Sequence, residues 1–139
     1  MRFEKSANDN FATMKLLDEK LDSRNAASLK KELLFLVEAE GTRNVVINMG
    51  EVAYVDSSGL SALLMGNLAC RAMSGILVLC NLNEHVQKLV QISQLNQVLT
   101  VLPTEEEARE AIFMHVLESD IEDEIEEEGE GEGEAASFS

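Results

Sequence analysis

The stretch EVAYVDSSGLSALLMGNLACRAM, Glu51–Met73, decides how the rest of the chain is read. Its first residues are mostly apolar and end at Asp56. Two serines and Gly59 follow, and from Leu60 onward apolar residues recur at helical spacing. That pattern predicts a strand running into a helix. Asp56, Ser57 or Ser58 can cap the helix, because its first amides lack internal partners and donate to a nearby side-chain oxygen. Gly59 and the small Ser61 and Ala62 let the first turn pack closely. One capping residue is enough, so that reading leaves a second hydroxyl unexplained. The same physics admits a functional use. A helix N-terminus carries free amides and partial positive charge and tolerates a phosphate. Phosphorylation of a serine there adds about −1.5 to −2 charges. Beside Asp56 it would transform any interface built over the junction. The residues alone leave both readings open.

Upstream, RFEKSA reads as an edge strand, and Asn8-Asp9-Asn10 as a turn. FATMKLLDEKLD reads as a strand pairing back on the first. Asp22-Ser23 can cap a first helix in which Ala26, Leu29, Leu33, Leu36 and Val37 form the apolar stripe, with Gly41 just past its end. NVVINM, Asn44–Met49, is rich in β-branched residues and predicts a strand covered on both faces. The second helix is expected over Ser58–Met73, with Leu60, Leu63, Leu64 and Leu68 sufficing for its stripe and Gly75 as its stop. Met65, Gly66, Cys70 and Met73 add apolar surface beyond that stripe, which core packing or a binding patch beside the junction would use. Downstream, ILVLCNL is a further buried strand. Asn83 opens a helix to about Leu95, with Val86, Leu89, Val90 and Ser93 on one side, and VLTVL is the last strand. Thr104 and Glu107 then form a capping box before a last helix carrying Ala108, Ala111, Ile112 and His115 or Val116. The order β-β-α-β-α-β-α-β-α implies an α/β domain whose sheet is mostly parallel, because parallel neighbours need a crossover element. An antiparallel strand is expected at its N-terminal edge.

The chain has 139 residues and a formal net charge of −15. That length suits one domain with one continuous core. Glu118–Glu134 contains 11 acidic residues and no Lys or Arg, so removing it leaves about −4 for the remainder. We therefore divide the chain into a domain over 1–117 and an acidic tail over 118–139, expected to be disordered because it is too poor in apolar residues to offset ordering entropy. Leu117, Ile121 and Ile125 are spaced by four, which would let the last helix run on for a turn or two or fold against a partner. Neither part has the clustered Lys and Arg that nucleic acid requires. The longest uncharged stretch, Ser57–Cys70, is 14 residues, short of the roughly 20 a membrane span needs. MRFEKSANDN has no apolar region of a signal peptide.

No chemistry of a catalyst stands out. Cys70 and Cys80 fit neither a CxxC nor a metal spacing and read as buried, reduced thiols of a cytoplasmic protein. His85 and His115 fall on separate helices with no ligand-spaced partner. Ser57 has no local histidine and no Gly-x-Ser-x-Gly elbow, and there is no phosphate-binding Gly-rich loop followed by Lys-Ser/Thr. The tail glutamates lack an EF-hand pattern. Catalytic residues, metal and cofactors are not expected.

A resemblance adds to this reading. VVINMGEVAYVDSSGLSALLMG resembles the signature of STAS domains: a buried strand, a short turn, then Asp-Ser-Ser/Thr-Gly-Leu entering an apolar helix. KLDSRNAASLKKEL is similar to the family's Leu-Asp segment and Ala-rich first helix, and the element order agrees over about Arg2–Leu117. Glu19 stands where many members have Gly, and Asn48 where an Asp often ends the strand. The resemblance is to the free-standing bacterial anti-sigma factor antagonists and implies a four- to five-stranded sheet, about four helices and a partner-switching cycle. In that cycle the unmodified protein binds an anti-sigma factor that is also a serine kinase. Phosphorylation of the serine after the motif's Asp, here Ser57, ends the complex, and a PP2C-type phosphatase reverses it. Asp22, Asp56, Ser58, Gly59 and Leu60 are then the partner-binding residues. A homodimer is left open. Two other functions compatible with the residues are a STAS subunit of a transport or signalling assembly and a small nucleotide- or lipid-binding sensor.

Overall fold

The computed structural model describes residues 1–131, with side chains through Ile125. β1 (Phe3–Ala7) and β2 (Ala12–Leu16) form the expected hairpin, in register from Phe3 opposite Leu16 to Ala7 opposite Ala12. Asn8 makes the turn by accepting the amides of Asn10 and Phe11 at 2.8 and 2.9 Å. β4 (Val45–Asn48), β6 (Leu77–Cys80) and β7 (Thr100–Leu102) continue the sheet in the order β1-β2-β4-β6-β7, all parallel after the hairpin.

The central strands are covered on both sides, which explains their unbroken apolar runs. Because side chains alternate, Val45, Ile47, Leu77 and Leu79 enter the large core under α1 (Ala26–Leu34), α2 (Ser57–Ala72) and α3 (Glu84–Ile92), together with Ala12, Met14 and Leu16. Val46, Val78 and Cys80 face the other way and meet Ala108 and Ile112 of α4 (Glu105–Gly131). Five of the expected first-helix residues, Ala26 through Val37, are buried, but the helix ends in a widened turn, Phe35–Ala39, where the Glu40 amide bonds the Phe35 carbonyl. Gly41 is left-handed at φ +76°, as expected. After α2 the left-handed residue is Ser74, φ +60°, and not Gly75.

Four expectations need correction. FATMKLLDEKLD is two strands: after Leu16 the chain breaks and Lys20–Leu21 forms β3, which pairs in parallel with β5 (Tyr54–Val55) as a separate two-stranded sheet. The helix from Asn83 stops at Ile92, since Gln94 is left-handed at φ +62° and a short 3-10 turn follows at Leu95–Gln97. On α2, Leu60 and Leu63 are buried with Gly66, Asn67 and Cys70, whereas Leu68 is exposed. The buried side is therefore narrower in side-chain size than the leucine count suggested, and α1 approaches α2 over Gly66. Lastly, α4 carries on to Gly131, through a segment whose composition predicted disorder. The remainder of that tail, 132–139, lies outside the described residues.

Both cysteines are free and fully buried. Burial pushes the Cys70 thiol up to about 12. Burial, reinforced by Glu105, pushes Cys80 up to about 11. The thiolate is the reactive form, so a thiol reagent at pH 8 should label neither residue in the folded protein and both after denaturant is added. Labelling of the native protein at the rate of a free thiol would contradict this packing.

Candidate functional site

The junction is built by the small β3–β5 sheet. Glu19 accepts the amides of Ala53 and Tyr54, and Leu21 accepts the amide of Asp56 at 3.1 Å. Leu21 lies opposite Val55 in the parallel register. Asp22 and Asp56 therefore leave their strands side by side, at the same edge. This is how residues far apart in sequence come to share one surface.

Asp56 is the helix cap. Its backbone is extended (φ −104°, ψ −174°), and its carboxylate accepts the Gly59 amide at 3.0 Å. Neither serine is needed for this, so the hydroxyls of the motif are free for another duty. α2 begins at Ser57, one residue earlier than predicted. Ser57 is exposed, Ser58 and Asp56 are half-buried, and Gly59 and Leu60 are buried. The last two, expected among partner-binding residues, thus lie beneath the surface. Gly59 lets the helix approach β3: a Cβ there would sit 2.6 Å from the Leu21 carbonyl oxygen and 2.9 Å from a Val55 methyl. Leu60 is 5 % exposed and belongs to the large core. Of the five residues Asp56–Leu60, only Asp56, Ser57 and Ser58 reach the surface.

Asp22 is half-buried and its carboxylate accepts from the Arg24 guanidinium, at 2.9 Å for the closest pair, and from the Arg24 backbone amide at 3.0 Å. These hydrogen bonds, first the guanidinium and then the amide, hold Asp22 below the usual carboxylate range. It does not cap α1. Asn25 precedes that helix without a side-chain cap, and the Asp22 carbonyl accepts the amides of Asn25 and Ala26. Asp22 is thus held in place by Arg24 at the end of β3.

Two neighbours were not found by reading the sequence. A shallow groove runs between α1 and α2, with Ala26, Ala27 and Lys30 on one wall and Ser57, Ser58 and Ser61 on the other. Lys30 is exposed and is the cation of the groove. Only packing of the two helices brings it to the serines. On the other side, Tyr54 is 43 % exposed and its ring stacks on His85 with centroids 6.1 Å apart. Asn83 fixes this side by capping α3 at the Val86 amide, 2.7 Å, while donating to the carbonyls of Val52 and Ala53. Asn48 ends β4 by accepting the Gly50 amide at 2.9 Å and donating to Glu105 at 3.3 Å, a structural use. Among the described residues no His, Cys, Asp and Glu cluster could hold a metal ion, and no helix is long and apolar enough to cross a membrane.

A family model described as the STAS domain matches residues 3–108. The chain belongs to the STAS domain family. This STAS domain is 35 % identical over 91 residues to BtrV of Bordetella bronchiseptica, which is assigned as an anti-sigma factor antagonist; the match covers 66 % of this chain and 78 % of BtrV. Its fold is shared with an assigned anti-sigma factor antagonist of Thermotoga maritima, at TM-score 0.70 and 22 % identity over 79 % of this chain and 93 % of that one. It is shared also with the Bacillus cell fate determinant SpoIIAA in its phosphorylated form, at TM-score 0.63 and 20 % identity over 80 % of this chain and 99 % of that one.

Removing the cap gives a direct test of this STAS domain's junction. Asp56→Ala should lower stability by about 1 kcal/mol, and Asp56→Asn should recover much of that, because an amide oxygen still accepts the Gly59 N–H. Chemical denaturation reads both. Equal loss in the two variants would mean that charge, and not the cap, is what the position supplies.

Proposed function

We propose that this protein is an anti-sigma factor antagonist: a binding module, not a catalyst, that works in the cytoplasm and is switched by phosphorylation of Ser57. In its unmodified state it binds an anti-sigma factor that is also a serine kinase. The kinase transfers the γ-phosphoryl of ATP to the Ser57 hydroxyl, and the complex separates. A PP2C-type phosphatase hydrolyses the ester and resets the cycle.

One observation carries this reading. Asp56 performs the capping, and Ser57 stands exposed at the first helical position with no capping duty. A kinase can reach that hydroxyl without unfolding the domain. The opening amides of α2 and the nearby Lys30 offer compensating positive charge to the product. The phosphate then sits beside Asp56, where a docking partner would meet concentrated negative charge. The half-buried Ser58 is the poorer acceptor of the two.

The test is incubation with serine-kinase anti-sigma factors and ATP, followed by mass spectrometry. Modification at Ser57 that disappears in Ser57→Ala, and is removed by a PP2C-type phosphatase, is expected. Stoichiometric modification at another residue, with Ser57 untouched, would overturn the assignment.

A further inference from the structure

We propose that the C-terminal half of α4 is a second docking surface, which receives a basic amphipathic helix of a partner protein. It rests on residues outside the Ser57 face and does not depend on the reading of that face. The inner side of α4 is accounted for by Ala108, Ile112 and Val116, which pack on the sheet. On the opposite side Phe113, Leu117, Ile121 and Ile125 follow one another at intervals of four, and Met114 lies among them. These side chains are 60, 39, 55, 62 and 54 % exposed, in that order. At 3.6 residues per turn they form one continuous apolar strip over more than three turns. None of these five side chains belongs to either apolar core of the described chain.

The charges beside the strip identify the occupant. On the helix circumference Glu118 and Glu122 border one side, and Asp120 and Glu124 the other; all four are exposed. From Glu110 to Ile125 there is no Lys or Arg. The acidic groups also repel one another. Glu118/Glu122 and Asp120/Glu124 are like-charge pairs four residues apart, which weaken a helix, and they lie towards the end where the helix dipole disfavours anions. A partner with an apolar ridge bordered by Lys and Arg would cover the strip and relieve that repulsion. Three other occupants meet the wrong sign of charge. The same helix of a second copy would press acid on acid. An anionic membrane surface would do likewise. Residues 132–139, EGEAASFS, bring two more glutamates and no cation.

The probe is a synthetic amphipathic helix of leucine and lysine, titrated into the full-length protein, beside a control in which glutamate replaces every lysine. The lysine peptide should bind one to one and raise the helical circular dichroism of the complex above the sum of its parts; the glutamate peptide should not bind. Leu117→Ser/Ile121→Ser/Ile125→Ser, which keeps every charge, should weaken binding at least about tenfold, and so should Glu118→Gln/Glu122→Gln. These positions are exposed, so neither variant should lower the thermal unfolding temperature of the domain by more than a few degrees, and the glutamine variant, which removes a like-charge pair, should not lower it at all. Equal binding by the serine variant would show that the peptide reads charge alone and would overturn the proposal. So would a dimer in sedimentation that the serine variant abolishes while the peptide fails to bind, or binding to vesicles of anionic lipid in preference to the peptide. Persistence of the effect in Ser57→Ala separates this surface from the phosphorylated one.

Discussion

Phosphorylation of Ser57 is expected to weaken the complex with the anti-sigma factor by about a hundredfold or more. Like charges pressed together across an interface cost several kcal/mol, and each step of about 1.4 kcal/mol is tenfold in affinity. The geometry gives the effect its size. Asp56 already stands at the N-terminus of α2, and the ester would add its charge on the next residue, in the first turn of that helix. No rearrangement of the domain is needed, since Ser57 is exposed and opens a helix N-terminus. Ser57→Asp should reproduce part of the loss, because one carboxylate carries less charge than a phosphate. Ser57→Ala should bind as tightly as the unmodified protein and resist the kinase. Titration calorimetry with the purified partner reads all three forms. If the phosphorylated protein and Ser57→Ala bound equally well, electrostatic release would be rejected.

Gly59→Ala is the second large effect. A real Cβ does not approach a backbone oxygen at the 2.6 Å it would meet at Leu21, and two further heavy atoms lie within 2.9 Å. The neighbour that must give way is main chain of β3, not the end of a flexible side chain. Overpacking of this kind costs about 1–3 kcal/mol. Displacement of β3 would also break the Leu21–Asp56 hydrogen bond and move Asp22 away from Asp56. The variant should therefore lose stability in urea denaturation and also bind its partner more weakly. A variant with wild-type stability would mean that the β3–β5 pair yields freely and does not hold the two aspartates in place.

Much of the main sheet was legible because its signals are local. The unbroken apolar runs Val45–Ile47 and Leu77–Cys80 announce strands covered on both faces, and Asp56, Asn83 and Thr104 mark helix starts that the structure confirms through hydrogen bonds to Gly59, Val86 and Glu107. The small β3–β5 sheet was not, since each strand is two residues long and gains its partner only from the fold. One trace of it exists in the sequence: Met14, Leu16 and Leu21 are all buried, and the step of five between the last two breaks the alternation of a single strand. At the junction, the cap at Asp56 was readable through the motif, but the depth of each side chain was not. Gly59 and Leu60 look like their neighbours in the motif and turn inward because the first helical turn faces β3. Lys30 and His85 reach the site through helix packing, which no local pattern encodes. The extension of α4 was underestimated because composition weighs charge against burial, while a helix continuing from a well-anchored stretch is already nucleated.

His115 marks where α4 leaves the sheet: its ring bonds the Ser74 carbonyl at 3.0 Å, just beyond the last turn of α2. Ser57 starts that same helix, so the length of α2 separates the acidic arm from Ser57. A molecule held on the arm would leave the other end open to traffic. The protein could then stay attached to one component while exchanging another, and a tethered kinase or phosphatase would act at a high effective concentration set by the arm's reach.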